Sequence, residues 1–151
     1  MTSLVVTSAP ADSTEADAIV IGVARGPGGL VLAPGSERVA AALGAALLPA
    51  LVGLGATGRA EEVTRLATLG TTTAPVVVAV GLGAVPAEGE AYDHEVLRRA
   101  TGAAVRALAG AGKVVVTLAS SGGDVAAATR AVGEGGPVSY THLTLPTKRI
   151  V

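Results

Sequence analysis

The chain contains no cysteine, phenylalanine or tryptophan, and its only aromatic residues are two tyrosines. The absence of cysteine excludes a disulfide framework, a thiolate zinc site, an iron–sulfur cluster and a cysteine nucleophile, and it favours a cytoplasmic location. Without aromatic platforms, bases cannot stack and a cation cage cannot form. A formal net charge of −1 also removes the basic surface that a phosphate backbone requires. We therefore expect no nucleic-acid partner.

Signals for secretion and for membrane insertion are weak. Residues 1–15 contain Asp12 and Glu15 but no lysine or arginine ahead of an apolar run, which does not support a secretory signal peptide. Residues 39–58 carry no charge and are long enough to span a membrane. However, this stretch is rich in alanine, lacks an aromatic belt and is interrupted by Gly44, Pro49, Gly53 and Gly55. We predict an alanine-rich helix inside a soluble domain, and no membrane partner.

Half of the residues are apolar, and the mean hydropathy is +0.58. With so few aromatic residues, the core must be built from alanine, valine and leucine. A chain of 151 residues has the length of one domain and can bury roughly two-thirds of its unfolded surface. Short β-branched runs alternate with alanine-rich helical stretches, which is typical of a layered α/β domain.

Strands are predicted where β-branched residues cluster between turn signals. The runs AIVIGV, PVVVAV and KVVVTL have the composition of strands buried on both faces. Glycines and prolines in residues 25–29 predict a turn, and those in residues 81–83 a tight exit from a strand. The predicted strands cover residues 4–7, 18–23, 30–32, 62–66, 75–80 and 113–118.

Three helices are predicted between these strands. Ser36 is a candidate N-cap of the first, which should run from Glu37 to about Leu48, with Pro49 bending or ending it. Asp93 should cap the second, which covers residues 95–108. One face of this helix carries Leu97, Ala100, Ala104 and Leu108, and the opposite face pairs Glu95 with Arg99. A third helix should follow Asp124 and end at the glycines of residues 133–136.

Two glycine motifs resemble nucleotide-binding loops without completing them. Gly81-Leu82-Gly83 follows a strand, but Pro86 stands where the dinucleotide fingerprint needs its third glycine. Residues 110–113 resemble half of a P-loop, but Val114 replaces the serine or threonine that holds magnesium. Residues 26–29 and 121–123 remain as candidate anion-binding loops, because successive backbone N–H groups can surround an anion.

No catalytic, cofactor-binding or metal residue is predicted. Ser120, Ser121, His94 and Asp124 are the residue types of a hydrolytic triad, but no Gly-x-Ser-x-Gly turn surrounds either serine. Asp124 is better explained as a helix cap, and His94 as a solvated residue at a helix end. The carboxylates lack histidine or cysteine neighbours and are expected on a solvated surface. They are Glu61, Glu62, Glu88, Glu90, Asp93 and Glu95.

The composition changes after Pro137, because the last residues contain neither glycine nor alanine. The string VSYTHLTLPT, residues 138–147, resembles the translation of a transposase-type sequencing adapter. We therefore expect a domain at residues 1–136 and a non-native tail at residues 137–151, which is excluded from fold reasoning.

Within residues 1–136 the order of motifs resembles the N-terminal domain of the leucyl (cytosol) aminopeptidase family, in particular its actinobacterial members. No single piece is specific; their order and spacing carry the resemblance. The matching strings are DAIVIG at residues 17–22, GATG at 55–58, EVTRL at 62–66, APVVVAVGLG at 74–83, YDHE at 92–95 and LRRA at 97–100.

The resemblance implies a three-layer, macro-domain-like mixed sheet flanked by helices, which precedes a larger catalytic domain. In the family, that second domain binds two divalent metals, zinc or manganese, through a lysine and several carboxylates. The metals activate a water molecule that releases the N-terminal residue of a peptide. The family's Asn-Thr-Asp-Ala-Glu-Gly-Arg signature does not occur here. The resemblance therefore implies a chain without its catalytic domain, inactive alone, from an enzyme that forms homohexamers.

Two other functions stay open from the sequence. The chain could be a stand-alone macro-like module that binds a nucleotide or an ADP-ribose-like ligand through its glycine-rich loops, without catalysis. It could also be an interaction domain without a ligand.

Overall fold

A mixed β-sheet runs through the parts of the chain that the computed structural model describes, which are residues 4–7, 15–108, 113–118 and 142–146. The sheet has seven strands. They are β1 (Leu4–Thr7), β2 (Ala18–Gly26), β3 (Gly29–Leu32), β4 (Val63–Ala67), β5 (Val76–Ala84), β6 (Lys113–Val116) and β7 (His142–Pro146). The helices are α1 (Glu37–Leu43), α2 (Leu47–Gly53) and α3 (His94–Ala107), with a 3₁₀ turn at Gly44–Ala46 between the first two.

The strand order is β1-β7-β6-β2-β5-β4. All pairs along this order are parallel except the last, because β4 runs antiparallel to β5. Strand β3 folds back antiparallel onto the second half of β2, beyond the residues of β2 that pair with β6. A mixed sheet flanked by helices confirms the predicted fold class.

The core lies on both faces of β2 and β5, whose apolar runs leave no polar face. On one face Val20 and Val80 pack with α3 through Leu97. On the other face Ile19 and Ile21 belong to the cluster that contains α1 and α2. Successive side chains of a strand point to opposite faces, so alternate residues of β2 and β5 belong to the two clusters. The sheet and the helices on its two faces form three layers. The α3 residues predicted to be buried, Leu97, Ala100, Ala104 and Leu108, all belong to this core.

The predicted first helix is interrupted at a different place than expected. The break occurs at Gly44, where φ is +71°, and not at Pro49. Pro49 lies in the first turn of α2, where a backbone N–H has no partner within the helix, so proline removes nothing there. The predicted end near Gly53 and Gly55 is confirmed. The Gly55 N–H donates to the Val52 carbonyl over 2.9 Å, and the Ala56 N–H donates to the Leu51 carbonyl over 3.0 Å.

The two predicted N-caps have different outcomes. The side chain of Asp93 accepts the Glu95 N–H at 2.7 Å, as predicted. Ser36 precedes α1 but does not cap it: its buried hydroxyl donates to the Ala33 carbonyl over 2.8 Å. Because that hydroxyl is held by the preceding turn, it is turned away from the N–H groups of the helix.

The predicted strand exit at residues 81–83 is wrong, because these residues lie within β5. β2 also extends beyond its predicted end, and only Pro27 and Gly28 remain as the turn before β3. The predicted strands at residues 4–7, 62–66 and 113–118 are found within two residues of their expected bounds. The predicted third helix, after Asp124, lies outside the described residues.

The glycines at the end of β5 have a packing role. The loop of residues 57–62 lies against this strand, with the Gly81 N–H donating to the Glu62 carbonyl over 2.8 Å and the Gly83 N–H to the Gly58 carbonyl over 2.9 Å. A Cβ atom on Gly81 would lie only 1.8 Å from the Arg59 carbonyl oxygen. The approach of two backbones therefore requires glycine at this position.

We expect Gly81→Ala to lower the free energy of unfolding by about 3 kcal/mol, since the loop or the strand has to move to admit the methyl group. Gly28→Ala is the matched control: nothing lies within 4 Å of a Cβ there. Urea unfolding followed by circular dichroism measures both variants. Equal unfolding midpoints for the two would contradict the role assigned to Gly81.

Candidate functional site

Open α/β sheets bind ligands at the carboxyl ends of their parallel strands. Here it is filled by apolar side chains. Leu82, Leu118 and Ala33 converge on Gly22, and a Cβ atom on Gly22 would lie 2.9 to 3.0 Å from each of them. Tyr92 is buried in the same cluster, and burial raises the pKa of its phenol. In the described residues this edge is therefore a packed core.

The two candidate anion-binding loops have different outcomes. Gly26 and Gly29 pair with each other across the β2–β3 hairpin, which places this loop in a tight turn. A turn of this kind uses its glycines for backbone geometry, and Gly29 has a φ of +121°. The other candidate loop, at residues 121–123, lies outside the described residues.

The residue types of a hydrolytic triad are not assembled in the described part of the chain. His94 is the first residue of α3 and is half-buried. Ser120, Ser121 and Asp124 lie outside the described residues, as do Gly110 and Gly112 of the incomplete P-loop. Gly81 and Gly83 of the incomplete dinucleotide motif belong to β5.

The carboxylates are distributed over separate structural roles. Among the described residues, no three histidine, aspartate or glutamate side chains come together as a metal site. Asp93 caps α3, and Glu95 bonds to the side chains of Arg98 at 2.6 Å and Arg99 at 2.8 Å. Those hydrogen bonds hold the pKa of Glu95 at about 2. Because Glu95 is exposed, its pairs contribute little to stability.

A shallow cleft of about 150 Å³ lies beside these ion pairs. It is lined by Ala60, Glu61, Gly81, Glu95, Val96 and Arg99. Ligand pockets usually enclose about 300 to 1,000 Å³ and are lined mainly by apolar groups. This cleft is smaller, and the charges of Glu95 and Arg99 at its edge neutralise each other. Its geometry fits a surface indentation better than a substrate site.

Sequence reasoning missed the role of Glu62, whose carboxylate holds the loop that lies on β5. It accepts the Thr57 N–H at 2.7 Å, the Thr57 hydroxyl at 3.0 Å and the Gly58 N–H at 3.1 Å. Partial burial raises the pKa of Glu62, but these hydrogen bonds and the charge of Arg59 outweigh it, so the pKa lies below its ordinary value. The signal available in the sequence was a carboxylate a few residues after a Thr-Gly turn.

Several apolar side chains are left exposed. Val52 and Leu54, at the end of α2, are each 55% exposed, and Leu69 is 91% exposed with a φ of +53°.

The uncharged stretch of residues 39–58 folds as α1, the 3₁₀ turn and α2, and none of the described helices combines the length and hydropathy of a membrane span.

A family model described as the N-terminal domain of the cytosol aminopeptidase family matches residues 14–137. A probable cytosol aminopeptidase of Streptomyces griseus is 50% identical over 135 residues, which cover 89% of this chain and 26% of the relative. One from Streptomyces coelicolor is 52% identical over 118 residues, which cover 78% of this chain and 23% of the relative. The chain thus spans about a quarter of the length of these relatives.

The solved structures agree with this result at the level of the fold. The bottromycin maturation enzyme BotP superposes with a TM-score of 0.58 at 23% identity, over 89% of this chain and 28% of that one. A second structure of BotP, in complex with manganese, gives a TM-score of 0.57 at 22% identity, over 88% of this chain and 27% of that one. At this identity the likeness supports the architecture alone.

The hydrogen bonds of Glu62 predict a pH-dependent stability. Because the folded-state pKa lies below 4.5, the stabilisation is present above pH 4.5 and is lost as the pH falls through the folded-state value. We expect Glu62→Gln to lower the free energy of unfolding by about 1 kcal/mol at pH 7, the low end for bonds to a charged group in contact with water.

The difference between the wild type and Glu62→Gln should shrink as the pH drops below 4.5. Urea unfolding between pH 7 and pH 3 measures it, with substitution of the exposed Glu88 by glutamine as the matched control. A difference that stays constant over this range would show that the Glu62 charge does not hold the loop.

Proposed function

The chain belongs to the cytosol aminopeptidase family, and we propose that it is the noncatalytic N-terminal domain of a cytoplasmic leucyl aminopeptidase. The observation that carries the proposal is the match of residues 14–137 to the family's N-terminal domain, within a chain that spans about a quarter of its relatives. The enzyme would remove N-terminal residues from peptides. This chain would contribute structure and assembly to it.

The metal chemistry belongs to another part of the enzyme under this proposal. Two divalent ions, zinc or manganese, would be bound by a catalytic domain that is not in this chain. The described residues do not fit such a site, because no three histidine, aspartate or glutamate side chains come together among them. Asp93, Glu95 and Glu62 are engaged separately, in a helix cap, in surface ion pairs and in the loop of residues 57–62. No step of the hydrolysis is therefore assigned to residues of this chain.

The partners proposed for the domain are its own catalytic domain and other copies in a homohexamer. The exposed apolar residues support such contacts, in particular Val52 and Leu54, which are each 55% exposed near the end of α2. The ionised groups of the cleft support them less, since Glu95 is already neutralised by Arg98 and Arg99.

The proposed boundary between domain and tail is residue 136. The family match, which ends at residue 137, supports it, as does the loss of glycine and alanine from the sequence beyond that point. Residues 137–151 are proposed to derive from a sequencing adapter.

The first test of the proposal is enzymatic. The chain, incubated with leucine p-nitroanilide and either Mn²⁺ or Zn²⁺, should release no p-nitroaniline. The Streptomyces griseus relative, as a matched positive control, should release it under the same conditions. Hydrolysis by the chain alone would contradict a noncatalytic role.

The same sample separates the proposal from a stand-alone macro-like module. Calorimetric titration with ADP-ribose should give no saturable heat, because Leu82 and Leu118 fill the edge at which parallel strands bind nucleotides. Saturable binding would instead favour the binding module.

The second test concerns the tail. Amplification of the source locus with primers that carry no adapter sequence should give a reading frame that continues past Gly136 into a catalytic domain. A genuine stop codon after Val151 would contradict both the proposed origin of the tail and the assignment to a full-length enzyme.

A further inference from the structure

The loop that joins β4 to β5 begins with a turn whose backbone is left-handed at two successive residues. The φ angle is +53° at Leu69 and +87° at Gly70. The Thr71 N–H donates to the Thr68 carbonyl over 3.1 Å and closes the turn. Turns with positive φ at both central residues favour asparagine followed by glycine. Leucine is therefore an unusual residue for the first of these two positions.

Leucine at position 69 is unfavourable to this domain for two independent reasons. In a left-handed backbone its Cβ atom crowds the following carbonyl oxygen, a conformation that asparagine adopts more readily. Its side chain is also 91% exposed, so the domain gains no burial of apolar surface in return. Neither the geometry of the turn nor the core of the domain accounts for this side chain.

The turn is presented by a loop that threonine side chains hold in place. The hydroxyls of Thr68 and Thr72 both donate to the Ala74 carbonyl, over 2.8 Å and 2.7 Å, and both residues are buried. The Thr71 hydroxyl donates to the Thr68 carbonyl over 2.7 Å. Because these bonds fix the loop, Leu69 is held in an outward position before any partner binds. Such preorganisation lowers the entropy that binding costs.

The surroundings of Leu69 fit an apolar partner surface. Residues 66–87 carry no charge, so a partner needs no charged group to match this loop. The length of the relatives indicates where such a surface lies. The family match ends at residue 137, and the chain covers only 26% of the Streptomyces griseus relative. About three-quarters of the longer protein therefore lies beyond this domain.

We infer that Leu69 is an anchor residue that inserts into an apolar pocket on the part of the longer protein beyond residue 137. This rests on the proposed function, because it requires the longer protein, and it names a residue through which the two parts meet. Burial in that pocket would offset the strain of the turn, which the isolated domain carries without compensation.

The strain is tested on the chain as it stands. Leu69→Asn should lower the equilibrium constant of unfolding about threefold, because asparagine relieves the left-handed position. The matched control is Leu54→Asn, at a residue that is also exposed but has a φ of −85°. Urea unfolding followed by circular dichroism measures both variants. A Leu69→Asn variant that is less stable than the wild type would show that the side chain serves this domain itself, and would overturn the inference.

The contact is tested on the longer protein expressed from the source locus. In hydrogen–deuterium exchange read by mass spectrometry, residues 68–72 should exchange at least about tenfold more slowly in the longer protein than in this chain. Leu69→Asn should remove that difference. Thr73→Asn, at an exposed residue of the same loop, is the matched control and should leave it unchanged.

The possible failures can be told apart. A reading frame that stops at Val151 would refute the proposed function, and the contact with it. A longer protein in which residues 68–72 exchange as fast as in this chain would refute the contact alone. Protection of residues 68–72 that increases with the concentration of this chain would assign Leu69 to a contact between copies, which would also overturn the inference.

Discussion

The parallel pairing of β2 with β5 is the constraint on which the rest of this domain depends. Both strands have nine residues and are buried on both faces over most of their length. They place α3 on one side and α1 and α2 on the other, and every other strand of the sheet pairs with them directly or through intervening strands. The loop of residues 57–62 takes its position from the same pair, because its backbone bonds to the end of β5.

The lack of large aromatic side chains determines how tightly this centre can pack. Alanine and valine fill less volume than phenylalanine, so close packing is reached where backbones approach each other. Gly81 admits the loop at Arg59, and Gly22 admits the ends of Leu82 and Leu118. The same packing closes the edge at which a related architecture could bind a nucleotide. In the described residues, composition therefore produces a filled crevice at this edge of the sheet.

Sequence reasoning succeeded where a signal was local and strong. The apolar runs located β2, β5 and β6, and the helical period together with Asp93 located α3. It failed where tertiary contacts reassigned a residue. Glycine at residues 81–83 suggests a turn, but the loop that requires glycine at Gly81 comes from elsewhere in the fold. Pro49 suggests a helix end, but its position in the first turn of α2 makes it harmless.

The candidate site shows the same division. The order of the sequence motifs led to the family that the match to residues 14–137 confirms. The role of Glu62 could not be predicted, because it depends on where the Thr57 turn folds.

The distribution of charge bears on the proposed role of the domain in assembly. A catalytic site needs ionisable groups that are free to exchange protons or to bind a substrate. Here Glu62 is bonded to a loop, Asp93 to a helix end and Glu95 to two arginines. The large side chains that remain exposed at the end of α2 are apolar. Covering such an apolar surface lowers the free energy. Releasing the carboxylates from their hydrogen bonds would raise it. This balance supports the proposed contact with another domain.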